Sequence, residues 1–161
     1  MPGYVGSMFD VKRAIYTVAR ADQGLQQRLT PPSAPGQPAA AMQFYLGRDP
    51  LPAVISDRTA SVSLVGETAV PAPAGAKEEM TFTFNVVSLS HDLCAQVHQD
   101  LDRLFHTATR GVWKVLPMPA GTGIARIRRE STSELPEPDG ETYRLLPRYR
   151  VLYAPPVLVA S

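Results

Sequence analysis

The sequence predicts an α+β fold: an antiparallel sheet with two main helices packed on one face and a long hairpin at the C-terminal end. Three observations predict it. Met80, Phe82, Phe84 and Val86 occupy one parity while Thr81, Thr83 and Asn85 occupy the other, the period-two pattern of a strand with one dry face. Directly afterwards, Leu93, Val97, Leu101, Leu104, Phe105 and Ala108 recur at helical spacing, with Gln96, Gln99, Asp100 and Arg103 outside the stripe. From residue 111 onward the chain returns to strand-like runs separated by turn residues.

The elements follow in order. Ser7 with Asp10 resembles a capping box, and Met8, Val11, Ile15 and Val18 then mark one face of a helix ending near Gly24. Residues 31–41, PPSAPGQPAAA, lack both period and bulky side chains and read as an extended surface loop. Short strands are expected over Met42–Leu46 and over Ala60–Gly66, the second with Val62 and Leu64 on one side. Residues 67–77, ETAVPAPAGAK, form a second Pro/Ala/Gly loop before the long strand. Ser90 is an N-cap residue and Asp92 places negative charge in the first helical turn, so the helix starts almost where the strand ends. Such a short turn favours packing back across the sheet. GVWKVLP, the turn PAGTG and GIARIRRES then read as an antiparallel pair. Residues 134–141 are an acidic turn, and the last strand puts Tyr143, Leu145, Tyr149, Val151 and Tyr153 on one parity. Residues 155–161 are a tail that frays or docks on a neighbour.

With 161 residues the chain suits one domain, 1–161, with a substantial core. Hydrophobic residues make up 44% and charged residues 19%, and no apolar run reaches the roughly 20 residues that span a bilayer. The first residues lack an apolar segment after a basic start, so synthesis and folding in the cytoplasm are expected, with no membrane partner. A formal charge of +1 gives no global pull toward nucleic acid, and no sequence-specific nucleic-acid partner is expected. The single cysteine, Cys94, excludes an internal disulfide and sits near the apolar stripe as a small buried hydrophobe.

No constellation supports catalysis, so the chain is not expected to be an enzyme or to need a cofactor. Ser90, His91 and Asp92 are the residue types of a hydrolase triad, but three consecutive side chains point apart; helix capping accounts for them. His98, Asp102 and His106 recur at four-residue steps, so adjacent pairs could share a metal. The full trio could not, because its outer members lie about 12 Å apart along a helix axis. No metal is expected. Gly121 and Gly123 resemble a phosphate loop without its lysine or its helix, and a hairpin turn explains them better.

One charge pattern stands out. Arg126 and Arg128 share a parity in one strand, and Arg144, Arg148 and Arg150 share the parity opposite the tyrosines in the next. Pairing these strands builds an arginine-rich outer face. Like charges side by side cost stability unless something neutralises them, and the acidic turn, Glu134, Glu137, Asp139 and Glu141, on an identical neighbour would do so. These nine residues are the candidate subunit interface. Their contact would be head-to-tail, of the kind that closes into rings. Simple solvation is the plain alternative, and nucleic-acid contact a third, weakened by the lack of interleaved aromatics.

The order of elements, with DVKRAIYTVA in the first helix, a Pro-rich loop, the strand TFTFNVVSLS, the helix SHDLCAQVHQDLDRLFHTA and a final RYRVLY strand, resembles the tail-terminator (tail-completion) proteins of long-tailed bacteriophages. The likeness covers most of the chain. The resemblance implies a structural virion protein at the head-proximal end of the tail, assembled in the host cytoplasm. It implies a homo-oligomeric ring, a hexamer, capping the tail tube and joining it to head-completion or neck proteins. The alternatives are another neck or head-tail connector protein and, from a different class, a small-molecule-binding domain with its pocket near His98.

Overall fold

A computed structural model of the chain describes residues 4–47, 53–70, 77–136 and 140–156. Helix α1 spans Tyr4–Ala21 and α2 Gln23–Leu29; strands β1 (Phe44–Tyr45), β2 (Ser61–Val70) and β3 (Glu78–Ser88) follow. Helix α3 covers His91–Phe105, and β4 (Lys114–Leu116), β5 (Ile124–Pro136) and β6 (Tyr143–Ala154) complete the chain. The six strands form one sheet in the order β1-β2-β3-β6-β5-β4. All pairs are antiparallel except β1 with β2, so the α+β fold is as expected while the sheet is mixed rather than purely antiparallel.

The alternation in β3 does what its pattern dictates. Met80, Phe82, Phe84 and Val86 are all fully buried, and α3 lays Leu93, Val97, Leu101 and Phe105 into the same core. Side chains of this size each contribute about 1.5–3 kcal/mol on full burial. An aromatic chain ties the layers together: Phe44 to Phe84 at 5.8 Å between ring centres, Phe84 to Tyr149 at 5.9 Å, and Tyr149 to Phe105 at 6.0 Å. It links β1, β3, β6 and α3. Ser90 caps α3 as its residue type predicts, accepting the Leu93 N–H at 3.3 Å.

Several boundaries differ from the sequence reading. The first helix begins at Tyr4, before Ser7, so the Ser7–Asp10 pair lies inside it rather than at its start. It ends at Ala21 because Asp22 adopts extended backbone and caps α2, its carboxylate accepting the Leu25 N–H at 3.0 Å. Leu25 and Leu29, four residues apart, give α2 its buried stripe. Gly24 therefore marks no helix end. It allows a close approach: a Cβ there would come within 3.2 Å of both Asp100 carboxylate oxygens on α3. Residues 67–70 belong to β2, held by pairs from Glu67↔Phe82 to Val70↔Glu79, and the rest of the expected loop, apart from Lys77, lies outside the described residues.

The other strands near the ends shift as well. The run Met42–Leu46 yields only two strand residues, and GVWKVLP only three. Helix α3 stops at Phe105, so Ala108 lies beyond it and is exposed. The hairpin of β5 and β6 is longer than its sequence signals, running to Pro136↔Tyr143. At its other end Gly123 has φ +107 and lies where a Cβ would meet the Ala154 carbonyl oxygen at 2.4 Å, so the turn into β5 requires glycine. Of the tail, residues 157–161 lie outside the described residues.

Candidate assembly surface

The β5–β6 register decides where each charged side chain faces. Ala125, Ile127 and Arg129 share the core face with Tyr149, Val151 and Tyr153, to which they pair, so Arg126 and Arg128 face outward with Arg148 and Arg150. The arginine-bearing outer face expected from parity is present. Arg128 stands directly across from Arg150, a like-charge pair that needs relief.

Relief for β6 comes from the same chain. Arg150 binds Glu79 on β3, and Arg148 Nε lies 3.2 Å from Glu130 Oε2. Glu130 is available because β5 bulges between Arg129 and Ser131, which inserts one residue without a partner in the register. Neither acid was among the candidate interface residues. Both would have been legible only with the β3–β6 register and the bulge in hand. Arg126 and Arg128 form no ion pair among the described residues.

The expected acidic turn is only partly visible. Glu137 and Asp139 lie outside the described residues, and Glu141 is exposed just before β6. Glu134 pairs with Leu145 on the core face, beyond the bulge, and approaches His91 at 3.8 Å. It therefore does not share the face of Arg126 and Arg128. Arg144, paired across from Leu135 and Val87, lies on the outward parity of β6.

Beneath the sheet is a second polar group. Asp102 of α3 receives the Arg129 guanidinium on one carboxylate oxygen and the Tyr149 hydroxyl on the other, the latter at 2.9 Å. His98 Nε2 lies 2.8 Å from Thr132 Oγ1, and the Arg129 amide N–H donates to His106 Nδ1 at 3.1 Å. Burial pushes the pKa of both histidines down, with the Asp102 charge opposing and Arg129 reinforcing the shift. Burial, then the Asp102 charge, raises the Tyr149 hydroxyl well above its ordinary range. The spacing of His98, Asp102 and His106 is thus used to join α3 to β5 and β6. The sequence signal for this was Arg129, an arginine on the same parity as Ala125 and Ile127. A cation on a core-facing parity needs a buried acid.

A third cluster holds the helices to one another. Arg28 of α2 binds Asp100 of α3, and Arg103 spans Asp22 at 2.8 Å and Asp100 at 3.3 Å. Ser90 caps the helix, and His91 packs edge-on against Tyr143 at 5.5 Å. Among the described residues no helix is long and apolar enough to cross a membrane.

With the geometry placed, comparison with known proteins separates sequence from shape. No family model and no curated protein matches the chain. A solved structure does. The chain is similar to one from the virion of a native gene transfer agent particle, with a TM-score of 0.65 and 15% identity, over 91% of this chain and 96% of that one. At that identity the likeness establishes a shared fold. It extends over nearly the whole of both chains.

Proposed function

We propose that the protein is a structural subunit of a phage-type virion. It closes into a homo-oligomeric ring, caps the tail tube as a tail terminator, and joins it to head-completion or neck proteins. The observation that carries this reading is the end-to-end likeness of fold to a chain of the gene transfer agent virion. The order of elements resembles the terminator family independently of that match. The outward face of β5 and β6 supports the oligomeric part, because Arg126 and Arg128 lack acid partners among the described residues of their own chain. In this reading an acidic surface of the next copy, Glu134 to Glu141, or of a virion partner supplies the neutralisation.

Light scattering on the purified chain, alone and mixed with tail-tube protein, tests it. A ring-sized mass, or binding confined to tube ends, is the expected result. A chain that stays monomeric and binds neither tube nor neck protein refutes the reading. Density at the head-proximal end of the tail separates a terminator from another neck or connector protein. The pocket reading near His98 is disfavoured by occupancy: Thr132 bonds His98 there, and Arg129 and Tyr149 both bond Asp102.

A further inference from the structure

The sheet is open along part of each edge, and the two openings match. β1 pairs with β2 only at Phe44↔Val62 and Tyr45↔Ser63, so no strand lies beyond residues 64–70 of β2 among the described residues. β4 pairs with β5 from Lys114↔Ile127 to Leu116↔Ala125, which leaves residues 128–135 of β5 open in the same sense. Each opening carries a bulge toward one end, between Leu64 and Gly66 and between Arg129 and Ser131, followed by a regular stretch. Neither stretch contains lysine or proline, two of the residues that blunt an exposed edge. Within the edge of β5 the Arg129 amide is capped by His106; Ser131 to Leu135 are exposed.

The two edges are also compatible in direction. β2, β3, β6 and β5 alternate in direction, so β2 and β5 run antiparallel. A second copy set beside the first in the same orientation brings its β5 antiparallel to β2. We propose that these edges pair between copies, centred on Gly66–Thr68 of one chain and Ser133–Leu135 of the next, so that the sheet continues from subunit to subunit. This inference rests on the ring reading above and names its joint.

Three constraints select the register. Outward residues must oppose outward ones, which sets Gly66 and Thr68 against members of the set Ser131, Ser133 and Leu135. Two copies held level would drive Ala69 and Val70 into β4, because those residues stand in line with Lys114 and Val115 across the sheet. A slide of two residues still carries Leu135 into line with Ser63, where Tyr45 of β1 already pairs. A slide of four residues clears both edge strands, placing Thr68 opposite Ser133 and Glu67, whose charge Lys12 of its own chain already meets, opposite Glu134. It displaces each copy by about 14 Å along the strands. A regular offset of this kind is the stagger that a sheet of tilted strands needs in order to close on itself.

Disulfide trapping tests the joint. Thr68→Cys combined with Ser133→Cys places the two thiols on opposed residues of neighbouring copies. Within one chain they are separated by β3 and β6, about 14 Å, beyond the reach of a disulfide. The native Cys94 is fully buried and does not compete. Mild oxidation of the assembled protein, alone or on tail-tube ends, is expected to give a ladder of covalent multimers that reductant collapses. The misfaced pair Thr68→Cys with Thr132→Cys should give none. Oligomers of ring mass without that ladder overturn the joint and leave the ring reading standing. A monomer under both conditions overturns both. Covalent dimers from Ser133→Cys alone would show β5 pairing with β5, and overturn it too.

Discussion

The two faces of the β5–β6 hairpin treat arginine in opposite ways. On the inward face Arg129 is a locked part of the interior, gripping Asp102 together with Tyr149 while its own backbone amide is capped by His106. On the outward face Arg126 and Arg128 have no acid partner among the described residues, and Arg128 even faces Arg150. One strand thus carries both a structural arginine and two whose charge the fold does not use. A charge with a built-in counterpart belongs to the stability of the subunit. A charge without one is free to serve contact with something else.

The sharpest way to break this contrast is at Asp102. Asp102→Ala leaves the Arg129 guanidinium and the Tyr149 hydroxyl without their shared partner, and urea unfolding should lose about 2–3 kcal/mol. The figure is below that of a fully buried pair because the Asp102 side chain retains 23% exposure. An unchanged urea midpoint would show the inward network to be idle. Tyr149→Phe keeps the ring contacts with Phe84 and Phe105 and removes one charge-assisted hydrogen bond, so a smaller loss of about 1–2 kcal/mol is expected by the same measurement.

Acid should act on the inward face as well. His98 and His106 are held neutral by burial, with pKa values below the 6.5 of a free histidine. Their contribution is complete above pH 6.5 and declines as the pH falls from there through the depressed values, because the unfolded chain takes up the protons first. Thermal midpoints measured across that range should fall with acid, and less steeply in His98→Asn. The smallest effect on stability is expected outside. Arg126→Ser with Arg128→Ser should leave the urea midpoint where it is while weakening self-association or tube binding. Loss of folding stability with assembly intact would reverse the assignment of the two faces.

Much of the fold was legible because burial writes itself into period. The alternation of Met80 to Val86 and the stripe from Leu93 to Phe105 identified β3 and α3, and the tyrosine parity oriented β6. What escaped were features set by position in space. Helix α2 is only seven residues long and depends on an Asp22 cap and an acid on α3, neither of which a periodicity reveals. Residues 67–70 read as loop from their composition, yet pairing with β3 makes them strand. The same division holds for the assembly surface. Parity placed the arginines correctly, while Glu79 and Glu130, which bind Arg150 and Arg148, depend on long-range register and on a bulge.

The single thiol gives the molecule a clock. Cys94 is sealed between α3 and the sheet, its Sγ 3.4 Å from the Tyr143 carbonyl oxygen, and its pKa is pushed up to about 11 by burial. No thiol reagent can modify it until α3 lifts from β6, so the labelling rate counts openings of that one joint. Followed before and after subunits assemble, it would read how far a contact made at the rim of the sheet is felt in the middle of the protein.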